Sequence, residues 1–169
     1  MEKKDLKPAG VFKYFEEICQ VPRPSKKEEK IIAYLKAFGA KHNLETNVDE
    51  AGNVLIKKPA TPGKENLQTV ILQSHIDMVC EKNNDVQHDF LTDPIETEID
   101  GEWLKAKGTT LGADNGIGVA TELAILADDS IEHGPLECLF TVDEETGLTG
   151  AFELKEGLMS GDILLNLDS

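Results

Sequence analysis

Three apolar runs constrain this chain more than any other feature: residues 69–74 (TVILQS), 136–142 (LECLFTV) and 162–167 (DILLNL). Each has the length of a strand and too few polar positions to leave one face in water. Strands buried on both sides need helices over them, and the intervening sequence supplies helices. Val11, Phe12, Phe15, Ile18 and Cys19 recur at helical spacing until Pro22 and Pro24 break the pattern. Ser25, followed by Glu28 and Glu29, reads as an N-cap with a capping box. Ile31, Ile32, Leu35 and Phe38 then share one face of a second helix ending near Lys41. Ile117, Ala120, Leu123, Ala124 and Ala127 mark a third helix over 115–127, and Thr149 caps a short one running to Leu154. Residues 44–49 and 53–57 alternate about Ala51-Gly52-Asn53 as a hairpin, and 97–100 with 102–105 form a second about Asp100-Gly101. Residues 60–64 and 81–96 read as loops. Strands interleaved with helices predict an α/β layered fold.

Charge narrows the function. The chain carries 17 Lys and Arg against 32 Asp and Glu, a net charge of −15. A nucleic-acid partner needs clustered positive charge, so this balance argues against one and is compatible with cation binding. No apolar run approaches the roughly 20 residues of a membrane span, and MEKKDLKPAG has no apolar signal-peptide core. Cys19, Cys80 and Cys138 are odd in number and far apart, which disfavours a disulfide framework or a thiolate zinc site. A reducing cytoplasm is the expected compartment.

The acids sit where the strands end. TVILQS runs into His75 and Asp77, LECLFTV into Asp143, Glu144 and Glu145, and DILLNL into Asp168. Asp114 stands in the glycine-rich GTTLGADNG, just before the third helix. Ligand sites of open α/β sheets form beyond the carboxyl ends of the strands, so His75, Asp77, Asp114, Glu144, Glu145 and Asp168 are expected to converge. His75 and Asp77 point to one face, because strand side chains alternate with period two. A carboxylate so placed takes the second N–H of a metal-bound imidazole. One imidazole among hard oxygens suits Zn, Mn or Co. Bound cations would also relieve the repulsion within Asp143-Glu144-Glu145, though Glu144 and Glu145 can serve one site only if the chain turns there; Thr146-Gly147 is the expected place. A nucleotide-loop reading of GADNGIGVAT lacks the third glycine, and no EF-hand loop is present.

These residues resemble the two-zinc metallopeptidases that include aminoacylases, glutamate carboxypeptidases and carnosinases, and within them the bacterial aminoacyl-histidine dipeptidases. The resemblance rests on EICQVPRPSKKEEK, GNVLIKKPATPG, SHIDMVCEKN, HDF with DPIE, DGEWLKAKGTTLGADNGIGVA, FTVDEETGLTGA and LLNLDS, in order, over nearly the whole chain. It implies a three-layer α/β/α zinc-peptidase catalytic domain of phosphorylase/hydrolase-like architecture. It implies that His75 and Asp168 hold the first of two zincs, that Asp114 bridges both and is followed by a cis peptide, and that Glu145 holds the second. It makes Glu144 the general base and Asp77 the residue that orients His75, with Asp143 a structural acid. The implied reaction is hydrolysis of dipeptides, Xaa-His and β-alanyl-histidine included, by a water activated between the two zincs, with Mn or Co as possible substitutes.

The resemblance also sets expectations about extent. Family members are far longer, so residues 1–169 are expected to be the N-terminal part of the catalytic domain. The lid and dimerisation domain, a C-terminal zinc-ligating histidine and the remaining strands of a mixed sheet would lie elsewhere. His42 (at an exposed helix end), His88 and His133 do not stand in the motif of that ligand. The expected consequences are an incomplete sheet with an exposed edge, at most one tight metal and little activity in this chain alone, and a homodimeric full-length protein. The rival reading is a non-catalytic metal- or peptide-binding protein on the same fold.

Overall fold

A computed structural model describes residues 2–168, except for the side chain of Lys4. Helix α1 (Ala9–Cys19) and α2 (Glu29–Lys41) precede the hairpin β1 (Glu45–Val48) and β2 (Val54–Lys58). Strand β3 (Val70–His75) leads through the 81–96 loop to the separate hairpin β4 (Thr97–Asp100) and β5 (Trp103–Ala106). Helix α3 (Ala113–Ala127) returns the chain to β6 (Leu136–Thr141). Two single-turn helices, α4 (Glu144–Gly147) and α5 (Thr149–Phe152), come before β7 (Ile163–Asn166).

The main sheet has the order β1-β2-β6-β3-β7. β1, β2 and β6 pair antiparallel, while β6, β3 and β7 run parallel, so the sheet is mixed. The parallel direction brings the carboxyl ends of β3, β6 and β7 to one rim. Alternation along the strands divides the core between two faces. Val54, Ile56, Leu72, Cys138 and Phe140 pack against Phe15 and Ile18 of α1, Ile31 and Leu35 of α2, and Leu123 and Leu126 of α3. Leu55, Ile71 and Leu139 face the other way, under Leu154, Leu158 and Met159. Three helices thus cover one face, and on the other the apolar cover among the described residues comes from Leu154, Leu158 and Met159, after α5. The expected exposed edge is β7, where Ile163, Leu164 and Leu165 are all exposed.

Three local expectations change. Ser25 does not cap α2; Glu28 is the residue before the helix, and the Ser25 hydroxyl donates to Asp77 instead. Thr149 lies inside α5 rather than capping it, with its hydroxyl bound to the Asp143 carboxylate. Ser25 finds its partner 52 residues away and Thr149 finds one six residues before it, and each outcompetes the local cap. His42 is half-buried rather than exposed, its ring 4.4 Å from that of Phe38.

Candidate metal centre

β3 is hydrogen-bonded on both sides, and its last residue, His75, is 1% exposed. Ile76 continues the pairing through its N–H to Thr141 O, and Asp77 follows on the same face as His75. His75 Nδ1 lies 3.2 Å from Asp77 Oδ1, the contact expected from period two. On the other side of the ring, His75 Nε2 lies 3.1 Å from Asp114 Oδ1, 3.7 Å from Asp168 Oδ2 and 4.0 Å from Glu144 Oε2.

The chain reaches Glu144 and Glu145 through a turn at Asp143, whose φ of 50° and ψ of 49° are left-handed. The turn therefore comes earlier than Thr146-Gly147. It is held by one side chain from 115 residues away and by two just beyond the turn. The Asp143 N–H donates to Glu28 Oε1, which also accepts from Lys26 N–H. The hydroxyls of Thr146 and Thr149 both donate to the Asp143 carboxylate. Asp77 accepts from the N–H groups of Glu144 and Glu145, at 3.0 and 3.2 Å, and from Ser25 Oγ at 2.7 Å. One buried carboxylate thus orients the imidazole and seats the first turn of α4.

Asp114 and Asn115 depart from helical φ and ψ at the start of α3, and the peptide between them is cis. Asp114 projects outward, its side chain 67% exposed, while Asn115 turns into the protein.

The electrostatics follow from this crowding. Burial alone would lower His75, but the hydrogen bond and charge of Asp77, with Asp114 and Asp168, raise it to about 9. Burial opposes ionisation of Asp77, yet the bonds from His75, Ser25 and the two backbone N–H groups lower it to about 2. Glu145 is raised, first by burial and then by Asp114, Glu144 and Asp77, with His75 opposing.

Two donor sets emerge in which every candidate ligand atom lies within 4.8 Å of the others: His75 with Asp114 and Asp168, and His75 with Glu144 and Glu145. A third set, Glu28, Asp77 and Asp143, is fully buried and is occupied by the donors just described. One imidazole, braced at its second nitrogen and surrounded by carboxylates, fits a divalent cation of the zinc type. All six predicted residues are brought to one place. His88 packs on Phe90, with ring centroids 4.5 Å apart, and joins neither set. Sequence reasoning missed Ser25, Glu28, Thr146 and Thr149 as supports, and Asn53, which accepts from Val142 N–H and donates to Gly150 O.

The profile of peptidase family M20/M25/M40 matches residues 71–166, a span containing five of the six residues. The chain belongs to this family. It is 51% identical over 168 residues to a cytosol non-specific dipeptidase of Escherichia coli (strain K12), covering 99% of this chain and 35% of that protein. The crystal structure of an aminoacylhistidine dipeptidase from Vibrio alginolyticus superposes with a TM-score of 0.97 at 55% identity, over 100% of this chain and 34% of that one. An aminopeptidase PepT from Bacillus cereus superposes at 0.80 with 27% identity, over 95% and 43%. The chain therefore spans about a third of the length of its first two relatives. The mixed α/β fold is that of the family's solved structures. No described helix is long and apolar enough to cross a membrane.

Proposed function

We propose that this chain is the N-terminal, metal-binding part of a dipeptidase catalytic domain, acting on Xaa-His and other dipeptides. The observation that carries the reading is His75, braced at Nδ1 by Asp77 and ringed at Nε2 by Asp114, Asp168 and Glu144. The names of the E. coli and Vibrio relatives support the substrate class and a cytoplasmic location. The family resemblance supports two zincs, with Mn or Co as substitutes, and dimerisation through a further domain.

His75, Asp114 and Asp168 would hold one cation, with Asp114 shared and Glu145 holding a second. Bound cations of this kind polarise a scissile carbonyl and lower the pKa of water toward about 7. The chain's own residues do the rest. Asp77 accepts a hydrogen bond from His75 Nδ1–H; the surrounding carboxylates favour a proton on Nε2 as well, which must leave before that lone pair can hold a cation. Glu144, beside that nitrogen, takes a proton from the attacking water and returns it to the leaving amine. The backbone bonds from Glu144 and Glu145 to Asp77 keep base and ligand in register.

The test is a dipeptide panel assayed with Zn, Mn and Co on the whole reading frame that carries this chain, beside Glu144→Gln. A fall in kcat of about 10²–10⁴-fold is expected; near-wild-type turnover rejects Glu144 as base. Calorimetric zinc titration of the chain alone is expected to show one tight site, since Glu145 and Asp114 alone serve the second. Two tight sites would overturn that division.

A further inference from the structure

Arg23 is a buried cation that the proposed chemistry does not use. Its residue is 3% exposed, between Pro22 and Pro24. The guanidinium donates to backbone carbonyls: Nη1 to Ile76 O and Asp77 O, each at 3.1 Å, and Nη2 to Gly112 O. Its own carbonyl accepts from Met78 N–H at 3.1 Å. The three carbonyls are not arbitrary. Ile76 and Asp77 directly follow His75, and Gly112 precedes Asp114 by two residues. The intervening turn is otherwise tied elsewhere, with Thr110 bonded to Glu81 and Val79.

Two glycines make room for the group. A Cβ at Gly112 would lie 2.5 Å from Nη2, and one at Gly116 would lie 2.6 Å from it. Gly112 also has a φ of 67°, which side chains rarely adopt. The guanidinium thus fills a slot between the end of β3 and the start of α3. The planar fork holds donors on two separate nitrogens in a fixed geometry, whereas a lysine gathers its three on one nitrogen at the end of a shorter chain.

We propose that Arg23 is a positioning residue for the metal centre: it ties the end of β3 to the turn before Asp114 and so sets the separation of His75 and Asp114. This rests on the metal-centre reading above. It differs from a packing role because the tied segments carry the candidate ligands themselves.

The test is a zinc competition titration of the full chain as wild type, Arg23→Lys, Arg23→Met, Gly116→Ala and Leu126→Ala, with visible spectra of the cobalt-loaded forms. Leu126 is a core residue on α3 and serves as the control for general destabilisation. Arg23→Lys and Arg23→Met are expected to bind zinc about 10–100-fold more weakly, as when supports of metal ligands are removed, and to change the cobalt bands. Gly116→Ala, which displaces the guanidinium but keeps it, is expected to weaken binding less; it decides the question if the Arg23 variants fail to fold. Leu126→Ala should bind as wild type does. Wild-type affinity in Arg23→Lys and Gly116→Ala, or an equal loss in Leu126→Ala, would overturn the proposal while leaving the metal centre standing. A wild-type chain that binds no zinc would overturn the metal centre and this proposal together.

Discussion

Strands β6 and β7 flank β3 on either side and run parallel to it, yet one is sealed and the other open. Every residue of β6 is buried, whereas all four residues of β7 are exposed, Leu164 to 51%. The candidate site inherits this difference. His75 and Asp77 rise from the sealed side, nearly or wholly buried, and Asp77 holds the first turn of α4 by two backbone bonds. Asp168 follows the open strand, with its side chain 29% exposed. Precision at a metal site comes from supports that are themselves packed, so the His75–Asp77 half is the rigid reference and Asp168 is the candidate ligand most dependent on what covers β7.

The contrast can be broken or sharpened by substitution. Leu139→Ala on β6 removes a fully buried side chain and is expected to cost about 2–5 kcal/mol by chemical denaturation. A cost below about 1 kcal/mol would mean that the sealed side is looser than its burial indicates. Asp77→Asn keeps the shape but removes the charge that orients His75, and should weaken zinc binding about 10–100-fold by competition titration. Unchanged affinity would deny Asp77 its role.

Glu122 offers a test by pH on the helix side of β3. It is buried, accepts from Ser74 Oγ at 2.7 Å, and is raised well above the ordinary carboxylate value by burial. Its folded value exceeds its unfolded one, so its contribution is fully present below about pH 4.5 and is lost as pH rises toward the folded value. Thermal unfolding of Glu122→Gln should therefore fall less steeply than wild type as pH rises above that point, the slopes differing by at most about 1.4 kcal/mol per pH unit. Parallel curves would show that Glu122 is charged in the fold. The smallest effect is expected on the open side: Leu164→Ala should change stability by less than about 0.5 kcal/mol, the value for surface positions. A loss as large as that of Leu139→Ala would show β7 to be covered in solution.

Much of this was legible in the sequence, for identifiable reasons. The strands announced themselves because β3 and β6 are buried on both faces and so carry nearly unbroken apolar runs. His75 and Asp77 followed from strand period alone. The distinct roles proposed for Asp114, Glu144, Glu145 and Asp168 did not, because spacing places acids at a rim without telling ligand from base; those proposals rest on resemblance. The turn at Asp143 was misplaced because a non-glycine residue adopts positive φ there with donors and acceptors from Glu28, Thr146 and Thr149. Ser25 was misread because a cap rule sees three residues ahead, while its partner Asp77 is 52 residues away. Arg23 was invisible as a support because its partners are backbone carbonyls 53, 54 and 89 residues distant, which carry no sequence signal.

X-ray absorption at the zinc edge of the zinc-loaded chain, compared with His75→Ala, tests the metal centre most directly. The account predicts an imidazole nitrogen among oxygen neighbours at about 2.0–2.2 Å, with the imidazole signal lost in the variant. A sulfur neighbour at about 2.3 Å, or an imidazole signal that survives His75→Ala, would contradict it.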